Sequence, residues 1–297
     1  MAVKKFGIDI SRWQGNFNFD KAVKEGVEFV IVKGGGGDDG LYVDRKFNEN
    51  YNAVKQHKLP IGVYWFSKAL SVAEAKKEAE YFYTNCLKGK QFELPVYIDV
   101  ENKAQLAVGQ RKLTDIIKAW CEYLEAKGYW VGIYSSLSYF NTYMYDNELT
   151  CYAHWVAQWS KECTYKTTSC LGMWQFGGET NAIRTNKVAG VVCDQDYMLV
   201  DYPALVKKAG LNGFKKTTTA PKPTPKPTPK TYKKGDKIVL KDTPTFTTST
   251  SAKAKKRNGT YYIYDGIKIN GRYRITNKEK NCGRKPIGLY VSFWAKL

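Results

Sequence analysis

Two histidines in 297 residues leave little with which to build a zinc site, and His57 and His154 do not form a ligand pair. The seven cysteines (Cys86, Cys121, Cys151, Cys163, Cys170, Cys193 and Cys282) contain no CxxC pair, which excludes zinc-ribbon and thioredoxin-type motifs. Their odd number reads as reduced thiols made in a cytosol, with one bridge, Cys163–Cys170, left open in a polar, loop-like stretch. No apolar run approaches the length of a membrane span. The opening MAVKKFGIDI has neither an apolar run nor a small-residue cleavage site, so it does not read as a signal peptide. A glycine run, Gly34–Gly37, follows Lys33, but no Gly-Lys-Ser/Thr comes after it, which argues against a phosphate loop. No Ser/His/Asp or Cys/His arrangement stands out. The expectation is a protein with no metal and no cofactor.

Positive charge is plentiful but unevenly placed. Residues 231–297 hold 16 Lys/Arg and four acids, residues 215–230 add five lysines, and the preceding 214 residues are close to balanced at +2. A small basic unit of this kind either seeks a polyanion or is merely a solvated surface.

The boundary between these regions is Thr217–Thr231, TTTAPKPTPKPTPKT. Repeated proline excludes helix and central strand, so the stretch reads as an extended spacer. The expected division is a domain over 1–214, a Pro/Thr/Lys-rich linker over 215–231 and a second domain over 232–297. In the first, eight short apolar strands are expected: 6–10, 29–33, 61–66, 96–100, 130–134, 154–158, 173–176 and 188–193. Helical spacing appears between several of them, notably over 19–25, 44–56, 73–86 and 113–126. That alternation points to an α/β fold, an irregular (β/α)8-like barrel whose second half has little helical pattern. After the linker, β-branched and aromatic residues alternate with polar ones, and Asn258-Gly259, Gly266 and Asn270-Gly271 mark turns. This is a small all-β, barrel-sized unit.

Carboxylates gather at the expected strand ends. LPVYIDVEN ends in Asp99 and Glu101, which period-2 geometry places on one face with Cα atoms about 6.5–7 Å apart. Such proximity raises the pKa of one acid, fitting it as a general acid while the other stays ionised, the division that glycosidic cleavage requires. Asp9 ends the first strand, and Asp194 and Asp196 lie in VVCDQD at the end of the last. Taken singly, a strand-end Asp is more often a cap for the next turn. Taken together, acids at the ends of strands one, four and eight form one acidic barrel mouth.

These residues carry a resemblance. GIDISRWQGNFNFDKAVKEGVEFVIVK, DRKFNENYNAVKQHKLPIGVYWFSKA, LPVYIDVEN, WVAQW, WQF and VVCDQDYM are similar to the glycoside hydrolase family 25 lysozymes, or muramidases, over residues 5–200. The resemblance implies an irregular barrel that cleaves the β-1,4 bond between N-acetylmuramic acid and N-acetylglucosamine with retention. It casts Glu101 as general acid/base, Asp99 as nucleophile or as the group orienting a substrate N-acetyl, Asp9 and Asp194 as supporting acids, and Tyr64 as the tyrosine facing the sugar. The acid that the family often carries after its second strand is missing here or shifted to Asp38 or Asp39. Trp13, Trp65, Trp159 and Trp174 sit at or near strand ends and are candidates to stack on sugars, two of the four at most; Asp196 is a candidate substrate contact. GTYYIYDGIKINGRYRIT resembles the bacterial SH3-like domains found behind wall hydrolases, which implies anchoring to the wall.

The expected partner is therefore peptidoglycan, with anionic wall polymers on the C-terminal unit, no nucleic acid and no membrane span. The expected setting is a phage endolysin held in the host cytoplasm until release, with a host autolysin as the alternative. A chitinase-like glycosidase is the less favoured enzyme, because Val96, Tyr97 and Ile98 stand where its longer acidic run belongs. A basic nucleic-acid binder fits the charge but not the converging acids.

Overall fold

Strands covered by helices on one side and by their own barrel core on the other have no polar face, so their sequences run continuously apolar. The first strand, β1 (Lys5–Ile10), is buried from Phe6 onward for this reason. The computed structural model describes residues 4–37, 40–167, 169–215, 231–283 and 292–297. It divides into two compact units, Met1–Thr219 and Ala220–Leu297. The spacer expected over 215–231 falls almost wholly outside the described residues.

In the first unit β1 is followed by β2 (Phe29–Gly36), a short β3 (Tyr42–Val43), β4 (Ile61–Phe66), β5 (Val96–Asp99), β6 (Val131–Ser136), β7 (Ala153–Ala157) and β8 (Leu171–Gly177). A small hairpin, β9 (Lys187–Val188) and β10 (Val191–Val192), precedes β11 (Asp194–Met198). The sheet order is β1-β11-β8-β7-β6-β5-β4-β2-β3, and the β1–β2 pairing closes the barrel, leaving β3 outside it. Neighbours from β1 through β2 and from β2 through β8 are parallel, whereas β11 is antiparallel to both β1 and β8.

Helices cover the first half of the circuit: α1 (Phe19–Lys24), α2 (Phe47–Gln56), α3 (Val72–Phe82), α4 (Lys103–Leu106), α5 (Gln110–Ala126) and α6 (Leu137–Thr142), with α7 (Tyr202–Ala209) after β11. The spacing in α5 buries Leu113, Ile116, Ile117, Trp120, Cys121 and Leu124 on one stripe. Trp120 stacks on Phe82 of α3 at 5.8 Å, so the two longest helices share a buried seam. Each such ring contributes about 1.5–3 kcal/mol by leaving water. The Ser71 side chain caps α3 by accepting from the Glu74 N–H at 3.2 Å, while Glu74 accepts from the Leu70 N–H at 2.7 Å. Parallel β7 and β8 are joined without a helix, which accounts for the weak helical pattern in this part of the sequence.

The eighth expected strand needs correction. The run 188–193 forms the outlying hairpin β9–β10, and the barrel strand begins only at Asp194. Its direction is reversed, so Asp194 opens its strand instead of ending one. Both errors cancel at the mouth, because the start of an antiparallel strand lies beside the ends of its parallel neighbours.

The second unit is a closed four-stranded barrel of β12 (Lys237–Phe246), β13 (Ala254–Ile269), β14 (Arg272–Thr276) and β15 (Ser292–Ala295). Ile238, Leu240, Ile263, Tyr273, Ile275 and Ala295 fill it. Arg272 donates from one guanidinium nitrogen to the carbonyls of Thr248, Ser249 and Ser251, fastening the β12–β13 loop. Among the described residues no helix is long and apolar enough to cross a membrane.

Candidate active site

Strand parity selects the pocket. Successive side chains point to opposite faces, and Ile31, Tyr97, Trp155 and Met173 belong to the core inside the barrel, whereas Val30, Val96, Ile98 and Val156 pack outward against the helices. Counting two residues at a time from the inward set reaches the mouth at Asp9, Tyr64, Asp99, Tyr134 and Gln175. Together with Glu101, Trp155, Trp159 and Asp194 they line a cavity of about 260 Å³. The strand β5 ends at Asp99, and Glu101 stands just beyond it on the same side.

Four acids here have pKa values raised above their ordinary range. Asp9 lies well above the usual carboxylate range through burial, then through the charges of Asp194 and Asp196, although a Gln175 hydrogen bond pulls it down. Asp194 is pushed up to about 6 by burial, then by Glu101 and Glu179. Asp196 is raised by burial, partly offset by the Trp155 indole N–H at 2.8 Å. Glu101 is exposed at the rim, yet partial loss of hydration raises it, with the Lys33 ammonium acting in the opposite direction. Lys33 reaches this rim from within β2, 4.7 Å from the centre of the Phe66 ring. Asp99 is 4% exposed. The chemistry available is a proton donor at the rim, a buried carboxylate two residues earlier and aromatic walls around both.

The family model for glycosyl hydrolases family 25 matches residues 8–184, well over half the chain. The chain belongs to this family. Among relatives, the autolytic lysozyme of Clostridium acetobutylicum is 30% identical over 135 residues, 45% of this chain and 39% of that protein. Lysozyme M1 of Streptomyces globisporus is 25% identical over 201 residues, 64% of this chain and 65% of the relative. The chain thus spans less than two thirds of either relative. The crystal structure of the CTP1L endolysin shares the fold with a TM-score of 0.57 at 24% identity, covering 67% of this chain and 68% of the other.

In this family 25 chain the expected site residues separate into two groups. Asp9, Tyr64, Asp99, Glu101, Trp159 and Asp194 meet in the cavity. Trp65 and Trp174 do not, because their parity turns them outward. Trp65 is fully buried against Tyr81 and Phe82 and donates to Glu78 at 3.1 Å. Trp174 donates to the Gln158 carbonyl at 2.8 Å and packs on Phe176 and Tyr197. Trp13 is 74% exposed on a single 3-10 turn after β1, beneath the Arg12 guanidinium, and does not line the cavity. Asp196 is wholly buried on Trp155, outside the lining. Cys163 and Cys170 are free thiols, so the bridge left open between them is not formed.

Gly34, Gly35 and Gly36 of the glycine run belong to β2. A Cβ at Gly35 would lie 2.8 Å from the Trp65 ring and overlap the Tyr42 carbonyl, so the glycine admits β3 and the indole. Asp38 and Asp39 lie outside the described residues. Tyr134, Trp155 and Gln175 were not singled out from the sequence. Trp155 and Gln175 stand in WVAQW and WQF and Tyr134 in VGIYSS, but picking them out takes the strand parity, which requires the inward set to be known first.

Proposed function

We propose that this chain hydrolyses the β-1,4 bond between N-acetylmuramic acid and N-acetylglucosamine in bacterial peptidoglycan. The observation that carries the reading is Glu101 at the rim, raised toward its protonated form, two residues from the buried carboxylate of Asp99. A general acid must carry a proton to give, and partial loss of hydration shifts Glu101 in that direction. Glu101 gives its proton to the leaving oxygen while Asp99 stabilises the developing positive charge, as nucleophile or through the substrate's N-acetyl group. Asp9 and Asp194 support the pair, and Tyr64 and Trp159 face the sugar. Relatives named as an autolytic lysozyme, a lysozyme and an endolysin support this assignment.

The C-terminal barrel holds the enzyme on the wall in this reading, as an SH3-like module drawn to anionic wall polymers by its net +12 over residues 231–297. The protein waits in the cytoplasm of the producing host until release. The deciding experiment is mass spectrometry of sugars freed from purified peptidoglycan. Products with muramic acid at the reducing end are expected; N-acetylglucosamine there, or no release, overturns the assignment.

A further inference from the structure

We propose that Gln175 is a positioning residue, whose single amide holds the Trp159 indole, the Tyr134 hydroxyl and the Asp9 carboxylate in one fixed arrangement at the mouth. What that arrangement serves rests on the lytic reading above; the arrangement itself does not.

Gln175 lies on β8 and is 1% exposed. The orientation of its amide follows from its partners. The Trp159 indole N–H can only donate, so the atom facing it at 3.0 Å is Oε1. The Tyr134 hydroxyl donates to the same oxygen at 3.0 Å. Nε2 is thereby turned to Asp9 and donates to its Oδ2 at 2.9 Å. Each partner is fixed by the bond. Trp159 is 44% exposed, and an untethered indole at that exposure samples several rotamers. Tethered through its one polar atom, it presents a set plane to the cavity. Tyr134, with its O–H directed at Gln175, offers oxygen lone pairs as an acceptor. Asp9 takes a hydrogen bond on Oδ2, which sets the plane of its carboxyl group.

The backbone agrees with a fixed ring. A Cβ at Gly178 would lie 2.7 Å from Trp159 Cζ2 and overlap the Asp194 carboxylate, so the indole and that acid both press against the bare glycine. Gln175 is also the register partner of Asp196 on β11 and of Ala157 on β7, which places the amide where the antiparallel and parallel parts of the barrel meet.

The test uses the full chain labelled with nitrogen-15, with the Trp159 indole signal assigned by its loss in Trp159→Phe. Hydrogen exchange at that indole and kinetics on soluble wall fragments are measured for Gln175→Leu, Gln175→Glu and Trp159→Phe. Gln175→Leu is expected to speed indole exchange at least about tenfold and to raise KM more than it lowers kcat. Trp159→Phe added to Gln175→Leu should cost little more than Gln175→Leu alone. Gln175→Glu replaces a donor to Asp9 with a second acid, which raises the carboxyls of the mouth further, so the acid limb of its activity should lie at higher pH than that of the wild type. Unchanged indole exchange in Gln175→Leu, fully additive losses in the double variant, or a Gln175→Glu pH profile superposing on wild type would each overturn the proposal. Should Gln175→Leu not fold, indole exchange and the pH profile of Gln175→Glu decide. A wild-type chain that frees no sugar would refute the lytic reading, while indole exchange would still decide the role of Gln175.

Discussion

Asp9 and Asp194 are direct register partners across the β1–β11 pair, one near the end of its strand and the other at the start of its own. Burial raises both carboxyls, and Asp194 and Asp196 raise Asp9 further. The site is therefore held together against its own charge.

One expected outcome is that Asp194→Asn stabilises the protein while impairing turnover. The folded-state pKa of Asp194, about 6, lies above the ordinary value of 3.8. The folded chain binds that proton more tightly, so stability falls as pH rises between those values. The amide removes the penalty, with a gain of about 1–3 kcal/mol at pH 7.5 and none near pH 3. Denaturant melts at both values measure this, and a loss of stability at pH 7.5 would contradict it.

Glu101→Gln should leave the melting temperature almost unchanged and lower turnover about 10²–10⁴-fold, the usual cost of losing a general acid. The side chain stands at the rim and carries none of the core. Near-normal turnover by the folded variant would remove Glu101 from the role.

A fragment ending at Lys215 should melt cooperatively and cut soluble glycan, whereas one ending at Ala209 should be destabilised. The difference is Asn212. It is fully buried, accepts from the Trp130 N–H at 2.6 Å and donates from its amide to the Leu94 carbonyl at 2.7 Å. Its backbone bonds Gly128 and Phe92, and its φ of 55° suits asparagine. Asn212→Ala strands the Trp130 N–H and the Leu94 carbonyl and should cost about 2–4 kcal/mol in a urea melt. A cost under about 0.5 kcal/mol would show that the tail is dispensable.

His154 introduces a second pH dependence, on the alkaline side. Its Nε2 meets Asp146 at 2.9 Å and its Nδ1 meets the Tyr152 carbonyl at 3.0 Å, so the ring faces an acceptor at both nitrogens. Burial pulls its pKa down, but these bonds and the neighbouring Cys170 together carry it up to about 9. The stabilisation is complete below the unfolded value near 6.5 and is lost as pH climbs through about 9. The urea midpoint should fall between pH 7 and pH 10 in the wild type and much less in Asp146→Asn. Equal slopes would refute the pairing.

A fluorescent fusion of residues 231–297 should bind purified Gram-positive walls, more weakly as salt rises, because exposed charges are screened over about 10 Å at 0.1 M. Walls stripped of teichoic acid should retain less of it. Binding to DNA without binding to walls would reverse the assignment.

Seven of the eight barrel strands were legible as apolar runs, and four main helices as 3.6-residue spacing, because both signals are local. The last strand was not. DQDYM carries two acids where an apolar run is expected; Asp194 opens onto the mouth and Asp196 accepts a hydrogen bond from the Trp155 indole inside the barrel. The carboxylates of the mouth were visible because Asp and Glu at the end of apolar strands are conspicuous. Trp65 and Trp174 were not separable from Trp159, since a Trp one residue off the inward parity reads the same in sequence. Gln175 shows the same limit: a lone glutamine has no pattern, and its role exists only among Tyr134, Trp159 and Asp9.

The reversed last strand also sets an order of events during folding. β11 must slot between β1, made first, and β8, made more than a hundred residues later. Contacts of such long sequence separation form late, after the local helix–strand units. Until that strand is seated, the mouth has neither Asp194 beside Asp9 nor a wall opposite Gln175. Ring closure and assembly of the acid set are thus a single step, and a nascent or locally opened chain whose gap is still unfilled carries Glu101 without the chamber in which it works.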